Sequence, residues 1–249
     1  MTTEQSVTLL AVESSAGPAS CAVLHRENGK VSVLCEAVVN NRLTHSQTLM
    51  PMIGDMLKNA SLSLADITHL AVAVGPGSFT GVRIGVSAVK GLAFANDLPC
   101  AAVSTLAGMA RRWEGVPYTG LILTTMDARC QQIYTALFAA ENGKVERLTP
   151  DEALPLNEVK NRLQNEVRPI LVVGDGAAIT YAALHDAVSG LVLAPEALRY
   201  QHATGVAMEA LLTVDGEACV SGEALLPAYL RLPQAERELR AKQEQASKA

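Results

Sequence analysis

Residues 75–81 read Gly75-Pro76-Gly77-Ser78-Phe79-Thr80-Gly81 and separate a short apolar run at 70–74 from a longer apolar run at 82–95. The first run has the length of a buried strand and the second that of a helix. Three glycines and one proline predict a tight turn whose backbone N–H groups can face whatever approaches the helix. A P-loop would end in Gly-Lys-Ser/Thr, and a dinucleotide loop would have its third glycine one position earlier. An anion site and a structural loop therefore both remain open.

The composition indicates a protein large enough for two lobes. Of the 249 residues, 49% are hydrophobic and 18% are charged, which suffices for one large core or two moderate ones. The net charge of -5 argues against a free-standing nucleic-acid binder, which would usually carry a basic stripe. Five scattered cysteines without a Cys-x-x-Cys pair indicate reduced thiols, and no apolar run reaches the roughly 18 residues of a membrane span. We expect a soluble, cytoplasmic protein without membrane contact.

Strand and helix signals follow the same order twice. Three strands with a hairpin turn at Asn28-Gly29 precede a helix at 45–59 and the glycine turn with its flanking strand and helix. A second hairpin at Asn142-Gly143, a helix near 157–165 and a strand at 170–173 repeat this order more loosely. The repetition predicts a duplicated α/β architecture. We expect an N-terminal lobe that carries a partner interface at 1–115, a looser second lobe at 116–230, and a charged helix or tail at 231–249.

The helices at 45–59 and 82–95 contain more apolar surface than one buried stripe requires. Two glycines inside the second helix each cost about 1 kcal/mol relative to alanine, which close helix packing could offset. We predict that the two helices form a four-helix contact with a second chain. The alternative is that both are wholly buried in their own lobe. The predicted contact residues are Leu49, Met52, Ile53, Met56, Val82, Gly85, Val86, Ala88 and Val89. A large charged residue at Gly85 or Ala88 should then abolish pairing without unfolding the monomer.

Catalytic and metal-binding motifs are missing from the sequence. The five histidines have no short metal-ligand spacing, and each is expected to be a surface or structural residue. Neither a Gly-x-Ser-x-Gly elbow nor a His-Glu-x-x-His motif occurs, which disfavours a peptidase. We therefore predict no catalytic residue and no metal site. The histidines are His25, His45, His69, His185 and His202.

Several ordered motifs, which together span almost the whole chain, resemble the bacterial TsaB (YeaZ) family. The motifs are Leu10-Ala11-Val12-Glu13-Ser14-Ser15, His45-Ser46-Gln47-Thr48-Leu49-Met50-Pro51, the run from Gly75 to Gly85, Val103-Ser104-Thr105-Leu106, Asp127-Ala128-Arg129 with Tyr134, Val173-Gly174-Asp175-Gly176, and Pro227-Ala228-Tyr229-Leu230-Arg231. The resemblance implies the actin-like ATPase fold, which is ribonuclease H-like and has duplicated lobes, here with a degenerate second lobe.

The resemblance also implies a role in making N6-threonylcarbamoyladenosine (t6A) at position 37 of tRNAs. In the family the transfer is performed by the paralogue TsaD, with TsaB as its required partner and the ATPase TsaE as a further component. The chain is thus expected to be a non-catalytic subunit that pairs with TsaD, pairs with itself when TsaD is absent, and meets tRNA through the complex. No cofactor is expected, and weak ATP or ADP binding at the interface of the complex stays open.

Comparison with the catalytic paralogue implies the loss of a metal site. TsaD has a His-x-x-x-His pair, one helical turn apart, where this chain has Thr105 and Met109. A hydroxyl and a thioether cannot replace two imidazoles for a hard or borderline metal.

The resemblance further implies a vestigial nucleotide site. The alternative interpretation is that the residues of this site are only strand ends and tight turns without a ligand. The competing function is an independent actin-like ATP-dependent phosphotransferase that uses Glu13. The residues of the vestigial site are Glu13, Ser14, Ser15, Gly174, Asp175 and Gly176.

Overall fold

The fold was analysed in a computed structural model, which describes residues 6–41 and 44–231. Eleven strands and seven helices alternate along this part of the chain. The strands are β1 (Val7–Glu13), β2 (Ala19–Glu27), β3 (Lys30–Val39), β4 (His69–Gly75), β5 (Cys100–Ser104), β6 (Gly120–Asp127), β7 (Gln132–Glu141), β8 (Lys144–Arg147), β9 (Glu152–Pro155), β10 (Ile170–Val173) and β11 (Leu191–Leu193). The helices are α1 (His45–Asn59), α2 (Phe79–Asn96), α3 (Thr105–Arg111), α4 (Leu156–Leu163), α5 (Ala177–Leu184), α6 (Glu196–Arg199) and α7 (Ala203–Asp215).

The first sheet has five strands in the order β3-β2-β1-β4-β5. Strands β1, β2 and β3 are antiparallel neighbours, whereas β4 and β5 run parallel to β1. Helices α1 and α2 cover one face, and α7 covers the other. Because both faces are covered, β1 and β4 are almost continuously apolar, as their sequences show.

The second sheet repeats this topology with the order β8-β7-β6-β10-β11. Strand β6 corresponds to β1, since it pairs antiparallel with β7 and parallel with β10. The repeat is shorter, with four residues in β8 and eight in α5, and it has one addition, β9, which pairs with β7. The duplicated α/β architecture of the actin-like, ribonuclease H-like fold, with a degenerate second lobe, is therefore confirmed.

Local sequence signals correspond closely to the observed elements. The helix predicted at 45–59 has those bounds. Both predicted hairpin turns have positive φ at the two central residues, with 51° and 75° at Asn28 and Gly29. Asparagine and glycine adopt this conformation most readily, which explains why the hairpins form there.

Helix α7 has no counterpart among the predicted elements, and it packs against the first sheet. The predicted second lobe at 116–230 includes this helix, because the sequence does not show on which sheet a helix lies. The division of the chain at residues 115 and 230 stays a prediction. Of the predicted tail at 231–249, all but residue 231 lies outside the described residues.

The chain after α7 returns along the first lobe as an irregular segment with a turn at 221–225; we call this segment, residues 220–231, the strap. Val220 forms an isolated antiparallel bridge with Cys100. Leu225 is buried in the core beneath α1 and α2, and the Ala228 backbone N–H donates to the Val74 carbonyl at 2.7 Å. The strap thereby reaches the end of β4, beside the glycine turn.

Candidate interlobe cleft and helix groove

The ends of the central strands of both lobes face one cleft of about 620 Å³. The first lobe contributes the turn after β1 and the glycine turn after β4, and the second contributes the turns after β6 and β10. Residues 228–231 of the strap form part of its wall. This is the position at which open α/β sheets bind ligands, outside the carboxyl ends of their strands.

The glycine turn packs directly on the turn that follows β1. The Ser78 backbone N–H donates to the Ser15 carbonyl at 2.7 Å, and the Ser78 side chain caps α2 by accepting from the Gly81 N–H at 3.3 Å. A Cβ atom at Gly81 would collide with the carbonyl oxygen of Ser14, and one at Gly77 would lie 2.5 Å from that of Ser15. These contacts explain why residues 77 and 81 are glycines. Pro76 and Gly77 also line the cleft.

Glu13 lies beneath the cleft floor and is only 1% exposed. Its Oε1 accepts a hydrogen bond from the Ser15 N–H at 2.6 Å, whereas Oε2 has no partner among the described residues. Burial raises the pKa of Glu13 to about 7, and repulsion from Asp175 adds to this rise. The Glu13 carboxyl group therefore holds its proton to a higher pH than an exposed glutamate does.

Asp175 lies on the opposite, second-lobe side of the cleft. Its Oδ1 accepts from the Gln201 side-chain amide at 3.2 Å, and burial raises its pKa to about 6. Gly174 and Gly176 pack against the backbone of β6, with no room for a Cβ atom.

The residues predicted for a vestigial nucleotide site are thus only partly brought together. Ser15 and Asp175 line the cleft, whereas Glu13, Ser14, Gly174 and Gly176 do not line it. The two glycines support the backbone of the second-lobe turn.

Two strap side chains, Tyr229 and Arg231, line one side of the cleft, and the residue patterns did not single them out as a site. The Tyr229 ring stacks on Phe79 with 4.6 Å between ring centroids. The Arg83 Nε donates to the Tyr229 hydroxyl at 2.8 Å, and an Arg231 Nη donates to the Ala128 carbonyl at 2.6 Å. The strap therefore connects the glycine-turn helix of the first lobe with the second lobe. Its only sequence signal was the motif at 227–231.

Helices α1 and α2 lie side by side and leave a groove on their outer surface, which we call the α1–α2 groove. Its N-terminal half is a cavity of about 520 Å³ beside Met50, Arg83 and Ile84. The C-terminal half is a cavity of about 420 Å³ beside Gly54 and Lys58. The floor of the groove is apolar, and its ends carry the two cations.

The structure buries most of the predicted contact residues in the first lobe, although Leu49, Ile53 and Ala88 also line the α1–α2 groove, and their contact with a partner stays a prediction. Leu49, Met52, Ile53, Met56, Val82, Gly85, Val86 and Val89 are buried in the first lobe, and Ala88 alone is partly exposed. A Cβ atom at Gly85 would collide with the Ser14 hydroxyl, so this glycine serves packing against β1 and not a partner. The apolar sequence of a helix shows that it packs closely, but not which side faces the sheet.

Other residues of α1 and α2 form the outer surface. Met50 is 45% exposed and lines the α1–α2 groove, whereas Phe94, near the C-terminal end of α2, is 93% exposed and lines neither of its two cavities. Gly54 and Gly91 are exposed, and a Cβ atom at either would have no neighbour within 4 Å. The two glycines leave space for the close approach of another helix.

Thr105 and Met109 are buried in α3 and do not line the cleft. The Thr105 hydroxyl has no hydrogen-bond partner among the described residues. In the same part of the chain no group of three histidine, cysteine or acidic side chains is placed to hold a metal ion. None of the described helices is both long and apolar enough to cross a membrane.

Comparisons with known proteins identify the relatives of the chain. The family model described as "TsaD: tRNA N6-adenosine threonylcarbamoyltransferase" matches residues 40–239. A Bacillus subtilis protein named tRNA threonylcarbamoyladenosine biosynthesis protein TsaB is 33% identical over 230 residues, which are 92% of this chain and 96% of that protein. The Escherichia coli protein of the same name is 39% identical over 134 residues, 53% of this chain and 58% of that one. The solved structure of YeaZ from Pseudomonas aeruginosa has a TM-score of 0.74 and 29% identity, and covers 90% of this chain and 100% of its own.

Proposed function

Because the chain belongs to the TsaB (YeaZ) family of tRNA threonylcarbamoyladenosine biosynthesis proteins, we propose that it is a non-catalytic subunit of the machinery that makes t6A in tRNA. In this proposal it pairs with the catalytic paralogue TsaD through the α1–α2 groove, and the pair recruits the ATPase TsaE in the cytoplasm. The paralogue supplies the chemistry and this chain the docking surface. Contact with tRNA is made through the complex.

The exposed apolar outer surface of α1 and α2 is the observation that carries the proposal. A monomer gains no stability from exposing Met50 in the groove, where a docked helix pair would bury it. Two glycines without neighbours allow the backbones of two helix pairs to approach each other. The match of the TsaD family model to most of the chain supports a partner of similar shape, because related lobes present related helices.

Loss of the paralogue's histidine pair supports an accessory role. Thr105 and Met109 are both buried and offer no imidazole. We propose that α3 here fills the interlobe core instead of holding a metal.

An independent ATP-dependent phosphotransferase is the competing function, and two observations disfavour it. The carboxyl group that would assist the reaction, Glu13, lies below the cleft with its pKa raised to about 7. Tyr229 and Arg231 of the strap form part of the cleft wall where a nucleotide would enter. Negligible ATP hydrolysis by the purified chain alone, together with hydrolysis once TsaD and TsaE are added, is the expected result.

Reconstitution tests the proposal directly. Purified TsaD, TsaE, tRNA and threonylcarbamoyl-adenylate are combined with and without this chain, and t6A is measured by mass spectrometry of the digested tRNA. We expect t6A only when the chain is present. An equal yield without it refutes the proposed role.

A matched pair of substitutions tests the groove. Gly54→Glu places a charged side chain on the open surface of α1, and Ala178→Glu does the same on exposed α5 of the second lobe. We expect Gly54→Glu to weaken TsaD binding at least about tenfold, because its side chain would fill the space that the glycine leaves for a docked helix. The Ala178→Glu variant should bind as the wild type does. Circular dichroism of both variants checks that the monomers stay folded, and equal affinities would exclude this groove as the interface.

A further inference from the structure

The α1–α2 groove is positively charged, and no carboxylate lines it among the described residues. Arg83 lies beside its N-terminal half and Lys58 beside its C-terminal half. Asp55, which is also exposed on α1, lines a different cavity on the side of the helix that faces β3. A surface that will bury cations against a partner needs opposite charges on that partner.

Arg83 is held in a fixed orientation before any partner arrives. Its guanidinium carbon lies 3.7 Å from the centroid of the Phe79 ring. Its Nε donates to the Tyr229 hydroxyl at 2.8 Å, and Tyr229 is itself stacked on Phe79. The strap residue thus fixes the guanidinium plane from one edge, and the aromatic ring fixes it from one face.

The outer edge of the same guanidinium is available for binding. Arg83 is exposed, and in the described residues it has no ion pair and no hydrogen bond from either Nη. A planar guanidinium with two free Nη atoms matches the geometry of a carboxylate, to which it can donate two parallel hydrogen bonds. Fixing the side chain in advance reduces the entropy lost on binding.

We propose that Arg83, oriented by Tyr229 of the strap, binds a carboxylate that the docked partner brings to the N-terminal end of the α1–α2 groove. The proposal rests on the proposed function, since it takes the groove as the docking surface. Arg83 is the anchor, and Tyr229 is a positioning residue that acts through it. The strap becomes part of the partner surface, although it lies far from α1 in sequence.

The charge distribution also favours a different protein over a second copy of this chain. In a two-fold symmetric pair both sides present the same groove, so cations meet a surface without carboxylates. A paralogue that places an aspartate or glutamate at the N-terminal end of the α1–α2 groove forms an ion pair with Arg83. A second copy of this chain would bury the Arg83 guanidinium without a carboxylate partner. Self-association through this surface should therefore be weaker than association with the catalytic partner.

Isothermal titration calorimetry with purified TsaD from the same organism tests the proposal. Arg83→Gln should weaken binding roughly ten- to a hundredfold and flatten its dependence on salt. Lys144→Gln, which removes one positive charge from the exposed end of β8, should change neither. Arg83→Lys should recover only part of the affinity, because an ammonium group keeps the charge but loses the bidentate geometry.

Tyr229→Phe separates positioning from packing. The substitution keeps the ring stacked on Phe79 but removes the hydroxyl that accepts from Arg83. We expect a loss of roughly threefold to tenfold in the wild-type background and none in the Arg83→Gln background, which a purely structural role would not produce.

Three outcomes overturn the inference. If the wild type binds TsaD and Arg83→Gln binds equally well, Arg83 binds no carboxylate of the partner. If Tyr229→Phe loses the same affinity in the wild-type and the Arg83→Gln backgrounds, Tyr229 does not act by positioning Arg83. Self-association as strong as TsaD binding in analytical ultracentrifugation excludes the preference for a different partner. Absence of wild-type binding to TsaD refutes the proposed function itself, which is a distinguishable result.

Discussion

Burial of Glu13 should make the stability of the protein fall as the pH rises towards neutrality. The pKa of this carboxyl group is raised from 4.5 to about 7, chiefly by burial. Between these two values the folded chain keeps the proton while the unfolded chain has released it. The free energy of unfolding therefore decreases with pH in this window, and the stabilisation, complete below about pH 4.5, is lost above about pH 7.

The size of the effect follows from the two pKa values. Each unit of difference corresponds to about 1.4 kcal/mol, so the difference between 4.5 and about 7 corresponds to about 3 kcal/mol. Glu13→Gln removes this dependence, because an amide does not ionise. Its oxygen can still accept from the Ser15 N–H, while its NH₂ takes the place of the partnerless Oε2 and adds an offset that does not vary with pH.

Urea unfolding of both proteins at about pH 4.5 and about pH 8 measures the effect. We expect the stability of Glu13→Gln relative to the wild type to improve by about 3 kcal/mol from the lower to the higher pH. The stability of Asp175→Asn relative to the wild type should also improve with pH, but over a lower pH range, since burial raises the pKa of Asp175 from 3.8 to about 6. A relative stability of Glu13→Gln that is the same at both pH values would refute the assignment of Glu13 as a buried, protonated carboxyl group.

Two further predictions concern packing. Gly91→Ala should stabilise the monomer by up to about 1 kcal/mol, because the position is an open helix surface, whereas Gly81→Ala should destabilise it by at least about 2 kcal/mol through collision with the Ser14 carbonyl. Thermal unfolding that ranks these variants in the reverse order contradicts the orientation of α2. Leu225→Ala should cost about 3 kcal/mol, since the strap buries this side chain in the first core. A urea midpoint unchanged by this substitution would mean that the strap is not part of the folded core.

Elements with strong local signals could be predicted from the sequence. Helix α1 has a regular apolar repeat and occurs at the predicted bounds, and the two Asn-Gly turns form the predicted hairpins. These elements occur twice in the same order, which sufficed to predict a duplicated α/β fold. The reason is that a given order of strands and helices can be connected in only a few topologies. Helix α7 was missed, since its evenly apolar sequence lacks a clear amphipathic repeat.

The site depended on long-range packing that no local pattern contains. Most residues predicted for partner contact are buried in the first lobe, and Gly85 faces Ser14, because the orientation of a helix is fixed by what it covers. Tyr229 reaches Arg83 across 146 positions of sequence.

The sequence by itself determined the strands, helices and turns that have strong local signals, since backbone propensity and apolar periodicity act over a few residues. Only the tertiary structure decided which side of α1 and α2 remains exposed, that one Glu13 oxygen is buried without a partner among the described residues, and that the strap fixes Arg83. The physical reason is that burial, desolvation and side-chain orientation depend on neighbours brought together by folding, which lie far apart in the chain.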